Sequence, residues 1–153
     1  MRLCLYQPEI PQNAGTLLRL GACMNVPIDI VQPCGFVISD RQLKRAGMDY
    51  MVHAEKAFYD SFEDYKNSSL EGRIILLDKK SDHAYTSFHF LPTDRLMVGR
   101  ESDGVPSSVY DAVDYQIFIP MYPPMRSLNV AVAASMVLGE ALRQTQLFYE
   151  GAY

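Results

Sequence analysis

The stretch RIILLD, residues 73–78, decides the fold. Four large aliphatic side chains, Ile74 to Leu77, follow one another without a polar interruption. A strand with one wet face alternates polar and apolar residues. A strand covered by helices on both faces has no need to alternate. The run therefore predicts a buried strand of a parallel sheet. Working outward, LCLY (3–6), IDIV (28–31), RLMVG (95–99) and YQIFIP (115–120) read as further strands of the same kind.

Helical signals fill the gaps between these runs. Asn13 is a candidate cap for a helix carrying Leu17, Leu18, Leu20 and Ala22. Ser39 or Asp40 can start a short helix that stops at Gly47. Phe58–Tyr65 predicts another short helix. Ser107–Val113, just after Pro106, predicts a third. The last helix is expected from about Ser127 to Gln146, with Ser127 as its cap. Strands alternating with helices predict an α/β domain: a mainly parallel sheet with helices on both faces, in one domain over residues 1–153.

Composition narrows the chemistry. Of 153 residues, 48% are hydrophobic and 21% charged, ordinary for a globular chain with a sizeable core. No apolar run has the length of a membrane span. The start, MRLCLYQPEIPQN, does not read as a secretory signal, so a cytoplasmic protein is expected. Cys4, Cys23 and Cys34, with His53, His83 and His89, fall in no ligand-like spacing, so neither a disulfide framework nor a metal site is expected. The net charge of −4 argues mildly against non-specific nucleic-acid binding. Arg41, Lys44 and Arg45 nevertheless share one helical face. A solvated face and a local phosphate contact both fit that trio.

Ligands of open α/β sheets bind beyond the carboxyl ends of the strands. Three such ends are unusual here. GRESDGVP (99–106) has two glycines, but Val105 stands where a phosphate-binding loop needs lysine, and no G-x-G-x-x-G is present. It remains a glycine-hinged loop carrying Arg100, Glu101 and Asp103. MYPPMRSLNVAVAAS (121–135) puts Arg126, Ser127 and Asn129 at a helix entrance, where unpaired N–H groups favour anions. QPEIPQNAGTLLR (7–19) gathers Glu9, Asn13 and Arg19 around two prolines. Each alone is explained by an ordinary turn or cap.

Together, PEIPQNAGTLLR, VGRESDGVP and IPMYPPMRSLNVAVAASMVLGEALRQ resemble the SPOUT-class RNA 2′-O-ribose methyltransferases, over nearly the whole chain. The likeness is strongest to their small single-domain members that modify the wobble nucleotide of tRNA. Two departures stand out. The middle loop of many relatives reads F-G-P-E-T-x-G, where this chain has Val98, Arg100 and Ser102. The last motif often reads R-S-L-N-L-S-N and is here R-S-L-N-V-A-V. Glu101, Gly104, Ser127 and Asn129 stay in place.

The resemblance implies a C-terminal trefoil knot, a homodimer, and S-adenosyl-L-methionine as methyl donor without a metal. It implies cofactor contacts at Leu77, Gly99, Gly104, Ile119, Ser127 and Leu128. It puts Arg19 near the attacking 2′-hydroxyl, with Glu101 and Asn129 orienting Arg19 or the ribose. An arginine stays protonated, so Arg19 suits stabilising an alkoxide or holding a phosphate better than accepting a proton. The expected substrate is position 34, cytidine or uridine, in the anticodon loop of leucine tRNAs. Arg41, Lys44, Arg45 and Arg126 are the candidate RNA contacts. Alternatives are the same chemistry on another tRNA position or on rRNA, a non-catalytic nucleotide-binding module of flavodoxin-like shape, and a structural dimerisation protein.

Overall fold

Among the described residues six strands lie side by side in one sheet, ordered β3-β2-β1-β5-β4-β6, and each pairing of neighbours is parallel. They are β1 (Arg2–Tyr6), β2 (Ile28–Val31), β3 (Lys56–Tyr59), β4 (Ile74–Leu77), β5 (Arg95–Val98) and β6 (Tyr115–Ile117). The α-helices among the described residues are α1 (Pro11–Met24), α2 (Phe62–Lys66), α3 (Ser107–Tyr110) and α4 (Val130–Thr145). The computed structural model describes residues 1–37 and 55–149. The helix expected after Ser39 or Asp40, with Arg41, Lys44 and Arg45, lies outside the described residues.

The central strands bury both faces, as the unbroken apolar runs required. Leu3 and Leu5 of β1 point to one side, with Ile75 and Leu96, against Leu17 and Leu18 of α1 and Val137 and Leu138 of α4. Cys4 and Tyr6 point to the other, with Ile74, Leu76 and Met97, against Phe62 and Tyr65 of α2 and Val109 of α3. Each fully buried large side chain contributes roughly 1.5–3 kcal/mol. No helix among the described residues is long and apolar enough to cross a membrane.

The amino ends of the strands are tied by buried ion pairs. Arg2 grips Asp29 with two bonds of 2.8 and 2.7 Å. Arg73 grips Asp94 in the same forked way, also at 2.8 and 2.7 Å. Both carboxylates are fully buried. Asp94 also accepts the Leu91 N–H at 2.8 Å, so its lone pairs are well used. The buried Arg95 stacks over the Tyr65 ring, 5.1 Å from the centroid, and donates to the Gly72 carbonyl.

Several element limits differ from expectation. Phe58 is in strand β3, not in a helix. Ser61 divides that segment: its hydroxyl accepts the Asp64 N–H, capping α2 and leaving Lys56–Tyr59 to pair with β2. Asn13 is not a cap. Pro11 occupies the first turn of α1, where its missing N–H costs nothing, so the helix starts earlier. Ser127 is not the cap of the last helix either. Asn129 is, accepting the Ala131 and Val132 N–H groups at 2.9 and 3.3 Å. The helix expected over Ser107–Val113 stops at Tyr110, and β6 ends at Ile117 rather than Pro120.

Candidate active site

The loops after β1, β4, β5 and β6 enclose a cavity of about 630 Å³ at the carboxyl end of the sheet. That volume is ordinary for a small-molecule site. The loop after β5 forms its floor. Arg100 and Gly104 exchange backbone hydrogen bonds of 2.9 and 3.1 Å, closing a tight turn. Gly104 has φ +71°, a left-handed conformation that favours glycine. Gly99 lies against it so closely that a Cβ there would fall 2.6 Å from the Gly104 carbonyl carbon. The missing side chain at Gly99 is what lets the turn close, and both glycines line the cavity.

One hydrogen-bonded chain joins three distant segments. Glu101 accepts the Glu9 N–H at 2.8 Å and the Asn13 side-chain amide at 3.0 Å. Asn13 in turn accepts the Asn129 amide at 2.9 Å. The remaining oxygen of Asn129 caps α4. The direction of this relay is forced. An ionised carboxylate only accepts, so Asn13 must turn its NH2 toward Glu101 and its oxygen toward Asn129. Asn129 must then turn its NH2 toward Asn13 and its oxygen toward the helix. Asn13 is buried, so losing either partner leaves a polar group without compensation. A second stitch runs alongside: Glu9 accepts the Ser102 N–H and hydroxyl at 2.9 and 3.0 Å.

Arg100 braces the same loop. Its Nε lies 2.8 Å from Asp103, its Nη2 donates to the other Asp103 oxygen at 3.2 Å, and its Nη1 reaches Gln7 at 3.5 Å. Beside it, burial pushes the Tyr6 phenol up despite the opposing guanidinium. The lining mixes charges, Lys79, Lys80 and Arg126 with Asp78 and Asp103.

Of the residues singled out in the sequence, Leu77, Gly99, Gly104, Ile119, Ser127 and Leu128 all line this cavity, as do Glu101, Asn129 and Arg126. Arg19 does not; it sits on the exposed face of α1. Glu101 and Asn129 converge on Asn13 rather than on Arg19. Asn13 is the residue that sequence reasoning misplaced. Pro11 was the available signal: a proline suits the first turn, which puts Asn13 inside the helix and in need of partners.

A family model, the SpoU rRNA Methylase family, matches residues 1–139. The chain belongs to the SpoU methylase family. Among its SpoU relatives, a tRNA (cytidine(34)-2′-O)-methyltransferase of Beijerinckia indica subsp. indica is 53% identical over 93% of this chain and 90% of its own length. A solved structure described as giving insights into the 2-OH methylation of C/U34 on tRNA is 38% identical, with a TM-score of 0.86 over 94% of both chains. At the level of fold alone, a SpoU methyltransferase of Streptomyces viridochromogenes in complex with the cofactor AdoMet gives a TM-score of 0.81 at 22% identity, over 94% of this chain and 60% of that one. A SpoU member with these relatives is an RNA methyltransferase, and the non-catalytic alternatives fall away.

Proposed function

We propose that this protein methylates the ribose 2′-hydroxyl of the wobble nucleotide, cytidine or uridine 34, in the anticodon loop of tRNA, with leucine isoacceptors as substrates and S-adenosyl-L-methionine as donor. The observation that carries the reading is the Glu101–Asn13–Asn129 relay on the wall of a glycine-floored cavity. The kinship with the Beijerinckia enzyme supplies the target nucleotide.

The residues present fit the donor. Bare backbone at Gly99 and Gly104 allows close approach, while Leu77, Ile119 and Leu128 offer apolar contact to an adenine. Ser127 supplies a hydroxyl at the same wall. The donor's sulfonium supplies an electrophilic methyl carbon. The protein's part is to hold the hydroxyl in line with that carbon; positioning of this kind carries a large share of a displacement rate. Arg19 stabilises the developing alkoxide or holds the adjoining phosphate. Because Arg19 lies outside the cavity of its own chain, this role requires a homodimer in which a second copy brings Arg19 to the site. The exposed Val132 and Met136, one turn apart on α4, suit such an interface.

Further parts of the reading are a single domain over residues 1–153, a trefoil knot in its C-terminal part, RNA contacts from Arg41, Lys44, Arg45 and Arg126, and work in the cytoplasm, where tRNA is modified. The test is methyl transfer from labelled cofactor to total tRNA, followed by mapping of the labelled nucleotide. Label at another tRNA position, or on rRNA alone, overturns the target. Normal turnover by an Arg19→Ala variant that still binds tRNA overturns the arginine's role.

A further inference from the structure

The segment Met121–Arg126 joins β6 to the cavity wall and carries a ring whose setting the relay does not explain. Tyr122 is 89% exposed, and its neighbour Met125 66%. Solitary exposed apolar residues are common and mean nothing alone. Three features set this ring apart. It is held on a stiff mount: Pro120, Pro123 and Pro124 fix their own φ angles, and the Met125 N–H donates to the Tyr122 carbonyl at 3.0 Å, closing the turn. It belongs to a turn beside the site, since Met121, Met125 and Arg126 on either side of it in the chain line the cavity. The cavity beside it carries cations, as Lys79, Lys80 and Arg126 line it and none of the ion pairs among the described residues uses them.

An exposed aromatic ring on a stiff turn next to a cation-bearing cavity is what single-stranded RNA needs. Loop bases are splayed out, stacked on aromatic faces and held by phosphate contacts. A nucleotide whose ribose enters a cavity must leave its own stack, and its base or the adjacent one then needs another platform. We propose that Tyr122 is that platform, stacking on an anticodon-loop base at or next to the methylated nucleotide. This rests on the tRNA reading above and adds a contact that selects unpaired RNA.

The chain contains no tryptophan, so Tyr122→Trp introduces a single indole as a fluorescent reporter. Its emission is expected to be quenched when tRNA binds, and an abasic site at nucleotide 33, 34 or 35 should relieve the quenching. Tyr122→Ala should raise KM for tRNA roughly fivefold to hundredfold, with kcat and cofactor affinity retained, while Tyr122→Phe stays within about twofold of wild type. An unchanged KM in Tyr122→Ala, or quenching that no abasic site relieves, overturns the stacking role. Dissociation of Tyr122→Ala dimers in sedimentation overturns it in favour of a second copy covering the ring. Wild-type protein that neither binds nor methylates tRNA overturns the tRNA reading itself, and this inference with it. Wild-type methylation beside an unaffected Tyr122→Ala overturns the inference alone.

Discussion

The two ends of the sheet are locked by different chemistry. At the amino end, Arg2–Asp29 and Arg73–Asp94 are forked ion pairs with buried carboxylates. At the carboxyl end the buried tie is a relay through two neutral amides to one carboxylate, Glu101–Asn13–Asn129, with the more exposed Glu9–Ser102 and Arg100–Asp103 contacts beside it. Breaking a buried pair leaves an uncompensated charge, so the amino end holds the strands in place at high stakes. An amide relay is individually weaker but fixes direction, with each donor and acceptor assigned by its neighbour. Stability should therefore concentrate at one end and site geometry at the other.

The largest effect should come from Asp94→Ala. It removes both charge-assisted bonds of the Arg73 fork, leaving that side chain the His89 carbonyl, and strands the Leu91 N–H, and should cost about 3–5 kcal/mol in chemical denaturation. Cofactor affinity per folded molecule should be unchanged. A matching loss of affinity would erase the distinction between the two ends. Asn13→Ala should do the reverse. Turnover should fall on the order of a hundredfold, because small displacements at a reacting centre cost that much, while stability should drop by only about 1–3 kcal/mol. Steady-state kinetics beside a denaturation curve reads both.

Gly104→Ala should cost about 1–2 kcal/mol from the left-handed backbone alone. Its Cβ would also sit 3.1 Å from the Asp78 carboxylate, so calorimetry should show weaker cofactor binding in a folded protein. The smallest effect is pH-dependent. Burial pushes the Cys4 thiol and the Tyr65 phenol up. Raised values favour the neutral forms in the fold, so their stabilisation is complete below about pH 8.5 and is lost as pH rises and the unfolded chain ionises. Urea unfolding between pH 7 and 10 should show this decline, and Cys4→Ala should make it shallower.

What the sequence disclosed follows from which forces are local. Ile74–Leu77 and Arg95–Val98 were legible as strands because burial on both faces leaves its mark residue by residue. The strand-end motifs held Gly99, Gly104 and Ser127, the resemblance added Leu77 and Ile119, and all five line the cavity. The polar connections were not. Ser127 and Asn129 are both good caps two residues apart, and Asn129 is the one fixed by a bond to Asn13, 116 positions away. Asn13 looked like a cap for the same reason: its partner Glu101 lies 88 residues on. Phe58 was misread because its strand exists only by pairing with β2, while the acidic residues after it suggest a helix start. Arg19 could be found by motif, but no spacing within one chain says that it stands outside its own cavity.

The strand order also sets a timetable. β1 is made first and ends in the middle of the sheet. Leu3 meets Ile28 on one side after 25 further residues, but its partner on the other side, Leu96, lies 93 residues downstream (96 − 3). At roughly 5–20 residues per second, a ribosome leaves that edge of the growing sheet open for about 5–20 s. An apolar strand with one bare edge is a template for mispairing. The cavity, whose walls include the loop after β5 and the start of α4, comes after that interval. The nascent chain thus passes through its most aggregation-prone stage before it can bind any ligand that would steady it.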